Sequence, residues 1–157
     1  MSEIPGMRMI CLMAALVSAG AYAQDHEHHH EGGSALSKLT LDGSKKWQTD
    51  EQLRKGMATI RDDVQAAIEP IHAGKFQAKD YEALAARIEK QIGTVISKCK
   101  LAPAADAQFH LVLAELVAGA DAMKKDGDRK RGVVLAIEAL LAYPKFFEHP
   151  GWKPIKH

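Results

Sequence analysis

The stretch DEQLRKGMATIRDDVQAAIEPIHAG, Asp50 to Gly74, decides the fold. Its apolar residues Leu53, Met57, Ile60, Val64, Ile68 and Ile71 recur at steps of three and four. An α-helix turns once in about 3.6 residues, so this spacing lines all of them along one face. Thr49 or Asp50 can cap the start, and Glu51 sits in the first turn, where the helix dipole favours an acid. Pro70 and Gly74 end or bend the helix.

The same period returns three times downstream. From Asp80 onward, Tyr81, Leu84, Ile88, Ile92, Val95 and Cys99 share a face. KLAPAAD (100–106) breaks the pattern and places Pro103 as the first residue of a third helix, where its missing N–H costs nothing. Phe109, Leu113, Leu116, Ala120 and Met123 form the third stripe, and Lys124-Lys125 suit its C-terminal end. After the turn DGD (126–128), Val133, Val134, Ile137, Leu140 and Leu141 form the fourth. It should stop near Pro144, because the residue before a proline is biased away from helix. The tail EHPGWKPIKH (148–157) is expected to be irregular; Phe146, Phe147 and Trp152 with His149 are expected to cap an open end of the helical body, or alternatively to form a partner-binding patch, and His149 and His157 could add metal ligands. Four amphipathic segments with short connections predict an all-α protein: an up-down-up-down antiparallel four-helix bundle over 47–157. An Ala-rich composition with only 6% aromatic residues agrees with helices better than with a β-sandwich.

Upstream, residues 24–46 read as a flexible, His-rich leader, expected to be disordered. Residues 1–23 read as a signal peptide. Arg8 supplies the positive charge, Met9–Val17 the apolar run, and Ala21-Tyr22-Ala23 the cleavage pattern, with Ala19-Gly20-Ala21 as a second choice. The start could equally be Met7 or Met9. The apolar run is too short for a membrane span, so the expectation is a soluble protein exported to the periplasm. After cleavage only Cys99 remains, which excludes an intrachain disulfide and makes the thiol buried, a ligand or an intermolecular link; a monomer or a dimer is expected. With 21 basic against 20 acidic residues and no basic stripe, nucleic acid is not an expected partner. No H-E-x-x-H, G-x-S-x-G or Gly-rich phosphate loop is present, and the paired E-x-x-H of a di-iron bundle is missing, so an enzyme is not expected.

The residues with most chemistry lie in the leader. His26, His28, His29 and His30 fall within five positions, interleaved with Asp25, Glu27 and Glu31. Imidazole suits copper, nickel and zinc. Cleavage after Ala23 makes Gln24-Asp25-His26 the new amino terminus. The free amine, two deprotonated amides and the third-residue imidazole then offer four nitrogens in one plane, the geometry that selects Cu(II) or Ni(II). Cyclisation of Gln24 to pyroglutamate would remove the amine. The expected metal ligands are therefore Gln24, Asp25, His26, His28, His29 and His30. The expected function is a periplasmic buffer or carrier of copper, with nickel or zinc as alternatives and a periplasmic protein as a further partner.

A resemblance bears on the helical part. EQLRKGMATIRDDVQAAIE (51–69) resembles the first helix of the small periplasmic b-type cytochrome family, cytochrome b562, which carries a Leu-x-x-x-Met-x-x-Leu/Ile pattern with the Met as haem ligand. FHLVLAELVAGADAMKK (109–125) is similar to its third helix, and LAYPKFF (141–147) to its fourth. The resemblance implies a bundle, export, and haem binding through Met57. It also implies a second ligand, a His directly after a Tyr in the fourth helix; here Pro144 follows Tyr143. His110, beside the third stripe, is the remaining imidazole. The missing axial His argues against haem, and no C-x-x-C-H offers covalent attachment. A b-type haem electron carrier and a non-catalytic interaction module stand as the alternatives.

Overall fold

The computed structural model describes residues 34–157. The expected signal peptide and the first part of the leader lie outside the described residues. Four helices follow in order: α1, Glu51–His72; α2, Ala78–Lys98; α3, Pro103–Met123; and α4, Arg129–Phe146. The connections 73–77, 99–102 and 124–128 are too short for a crossover, so successive helices run antiparallel. α1 packs on α2, α2 on α3 and α3 on α4, while α4 returns to α1 along the loosest of these contacts. The result is an all-α four-helix bundle, as the periodicity predicts.

Local chemistry sets the ends of α1. Asp50 caps it by accepting the Leu53 N–H at 2.7 Å, and its second carboxylate oxygen accepts the Lys100 N–H. One side chain thus fixes the start of α1 and the α2–α3 connection together. At the other end, Lys75 N–H donates to Pro70 O and Gly74 N–H to Ile71 O. This is the Schellman arrangement, and it needs the left-handed backbone that Gly74 adopts at φ +66°. Leu53, Met57, Ile60, Val64 and Ile68 are buried as the stripe requires, and Ile71 is half-buried.

α4 runs past the proline that was expected to stop it. Tyr143 is helical and the helix continues to Phe146, with Pro144 inside. Packing outweighs the local bias here. The fully buried Tyr143 ring stacks on Phe147 at 5.4 Å and meets the Trp152 ring at 5.0 Å. So close to the helix end, the missing proline N–H costs a single ladder bond.

The leader also departs from expectation over its second half. Ala35–Lys38 forms one 3-10 turn against α3, and Leu39 is buried. Ser34 Oγ donates to Glu115 Oε2 at 2.8 Å, and Thr40 N–H donates to Gln108 Oε1 at 2.8 Å. The polar composition of this segment masks Leu36 and Leu39, which pack against the core.

The tail is irregular yet tied down. Trp47 N–H donates to Phe146 O, and Glu148 N–H donates to Trp47 O, each at 2.8 Å. From there it runs along α1. Gln65 Nε2 donates to Lys156 O at 2.9 Å, and Lys156 N–H donates back to Gln65 Oε1 at 2.7 Å. Ile155 is buried beside this pair.

Candidate functional site

Gln24, Asp25, His26, His28, His29 and His30 lie outside the described residues. Met57 lies in the closed core of the bundle with no exposed surface. His110 points to solvent, its side chain 60% exposed, with Nδ1 2.8 Å from the Asp106 carbonyl one turn back. A helix rotates about 100° per residue, so His110 leaves the core face that its neighbour Phe109 occupies. The structure therefore does not bring Met57 and His110 to one point. Cys99 is half-buried, and burial, helped by Asp50 and Asp106, pushes its thiol pKa up. That disfavours the thiolate that a nucleophile or metal ligand needs. Among the described residues no group of three or more His, Cys, Asp or Glu is placed to hold a metal ion, and no helix is long and apolar enough to cross a membrane.

Three places in the bundle gather side chains that sequence patterning left apart. The first is the end where the tail crosses α1 and α4. Burial pushes the Tyr143 pKa well up, so the phenol keeps its proton. Burial, and then the guanidinium groups of Arg54 and Arg61, hold the His149 pKa below its ordinary 6.5. The Tyr143 hydroxyl lies 3.1 Å from Nδ1 of this neutral ring, within hydrogen-bond distance. The Arg61 guanidinium lies 5.9 Å from the Trp152 ring centroid, over the ring. Phe147 is fully buried here, and the His149 and Trp152 rings pack against Tyr143.

The second place is a shallow cavity of about 260 Å³ between Trp47, Asp50, Lys100 and Leu101. Its one carboxylate with a fixed role, Asp50, is already committed to two backbone donors. The third is an open groove of about 370 Å³ between the C-terminal half of α1 and the N-terminal half of α4. Ile68, Ile71, Val133, Val134 and Ile137 form its floor, and His72 and Lys130 stand at its rim. Val134 is 50% exposed there. The neighbouring valines at 133 and 134 are the sequence signal for this groove, because they widen the apolar arc of α4 beyond one stripe.

No protein-family model, curated protein or solved structure matches this chain.

Proposed function

We propose that the protein is an exported, periplasmic metal-binding protein that buffers or carries copper, with nickel or zinc as secondary ions. The observation that supports this reading is the tract itself: four of the eight histidines fall between His26 and His30, directly after Ala21-Tyr22-Ala23. Ligands consecutive in sequence need no folded cage, and a His-rich tract selects borderline and soft divalent ions. Gln24, Asp25 and His26 would supply the four-nitrogen plane, and His28, His29 and His30 would add weaker sites. The bundle would serve as a stable body and as a docking face for a periplasmic protein that delivers or receives the ion. The haem alternative draws no support from Met57 and His110, which face the packed core and the solvent respectively.

The test is intact mass of the exported, untagged protein, followed by Cu(II) titration in the visible spectrum. The expected result is a chain beginning at unmodified Gln24, with a violet-to-pink d–d band at one equivalent. Deleting residues 24–31 should abolish that band and the tight site. Unchanged Cu(II) affinity in the deletion would overturn the reading.

A further inference from the structure

We infer that the open groove between α1 and α4 is a binding site for an amphiphilic monoanion, an alkyl chain carrying one acidic head. This inference is independent of the metal reading.

The groove is the unfilled half of one cleft. α1 and α4 make the sparsest contact of the neighbouring helix pairs, and the tail packs against both through Trp152. Trp152 packs on Tyr143 and Arg61, Ile155 is buried, and Lys156 pairs with Gln65. Ile68 lies about one turn beyond Gln65, so the groove begins where the tail leaves off. The filled half shows that this cleft accepts an extended chain of apolar groups.

The two halves differ in what they offer that chain. Where the tail lies, Gln65 satisfies both the N–H and the C=O of Lys156. A buried peptide backbone requires such partners. The groove lining contains no amide, hydroxyl or carboxylate side chain. An extended peptide placed there would leave its backbone groups unpaired, whereas an alkyl chain has none to pair. All five floor residues are branched aliphatics, with no aromatic face for a flat ring to stack on. The two polar side chains of the lining, Lys130 and His72, are an ammonium and an imidazole. Neither forms an ion pair with a described residue. Arg129 beside Lys130 is already paired with Asp126, so the positive character of the rim rests on Lys130 and His72. That rim complements a negative head, and the volume of about 370 Å³ lies within the range of small-molecule sites, about 300–1,000 Å³.

The experiment titrates the full chain with dodecanoate and, separately, with 1-dodecanol, both below their aggregation limits, by calorimetry. The expected result is saturable one-to-one binding of dodecanoate, tighter than that of the alcohol. Lys130→Glu should weaken dodecanoate about tenfold and leave the alcohol unchanged, because it trades an exposed ion pair for a repulsion of similar size. Val134→Asp, at a half-exposed position, should weaken both ligands. Circular dichroism of each variant confirms that the bundle is intact. Absence of saturable binding, equal affinity for acid and alcohol, or indifference to both substitutions would overturn the proposal. So would a concentration-dependent dimer that Val134→Asp dissolves, since the groove would then be covered by a second copy of this chain.

Discussion

α4 meets its two neighbours in opposite ways. Against α3 it closes to backbone contact. A Cβ built on Gly132 would lie 2.5 Å from Gly119 O and 2.6 Å from Met123 N, and one on Gly119 would lie 2.8 Å from Gly132 O. Against α1 it presents Val133, Val134 and Ile137, which line an open groove where the contact is sparse. Small residues let helices touch along their backbones. Branched ones create a cleft that something else must fill, and here the chain fills half of it with its own tail. The contrast shows how one helix can serve as both a rigid joint and an adaptable wall, according to side-chain volume on each face.

The joint should be the more fragile under substitution. Gly132→Ala should destabilise the protein by about 3 kcal/mol, because backbone atoms of α3 must move to admit one methyl group. The gain in helix propensity, about 1 kcal/mol, is already included. Urea unfolding at unchanged slope measures this as a shift of the midpoint. A neutral result would mean that the α3–α4 contact is as adaptable as the α1–α4 cleft, and the comparison would fail. The comparison variant is Gly56→Ala. Its methyl would overlap Val95 Cγ2, a buried side chain stiff at χ1 in its helix, so it should also destabilise, by about 2 kcal/mol, but through a side chain and not through the neighbouring backbone.

The filled half of the cleft should respond next. Ile155→Ala removes a buried side chain and should cost about 2 kcal/mol, the low end for such truncations, because the tail can partly collapse onto the gap. Loss of protection at the Lys156 amide in hydrogen exchange would show that the effect is local to the tail. A cost below about 0.5 kcal/mol, typical of surface positions, would mean that the tail merely rests on the cleft.

The helices were legible because their apolar residues keep one period over about five turns in α1 and α2, four in α3 and two in α4, and Pro103 marked the start of α3 as written. Legibility failed where a residue's environment is set by a distant element. Tyr143 stays helical before a proline because Phe109, Phe147 and Trp152 surround it; Phe147 is one turn away, but Phe109 and Trp152 are brought there by α3 and the tail. Leu36 and Leu39 sit in a polar stretch too short to show a period, yet they cover α3. His110 sat one residue from a core position, and one residue is enough to turn it to solvent. The groove was visible only as an over-wide stripe on α4, since its existence depends on the α1–α4 separation that Trp152 and Ile155 help to set. The Tyr143–His149 pair shares that origin: six residues separate the two, but only the crossing of the tail brings them together.

That pair gives the smallest of the expected effects and the finest probe of the tail. In the unfolded chain His149 titrates near its ordinary 6.5; in the fold its pKa is lower, because burial and then Arg54 and Arg61 disfavour the charged ring. Between the two values the unfolded chain binds more protons, so stability rises with pH across that window. The contribution is complete above 6.5 and is lost as the pH falls through the folded value. Protonation also puts a charge on the ring beside the Tyr143 hydroxyl, with two guanidinium groups nearby and no described carboxylate paired to it. The tail should therefore loosen first on acidification, while the glycine joint between α3 and α4, which has no titrating group at its contact, should hold. Urea midpoints on either side of pH 6.5 should show an acid-side loss in the native chain that His149→Gln reduces. An identical pH slope in the two proteins would show that the tail is held by Ile155 and Gln65 alone and that the His149 contact adds nothing to it.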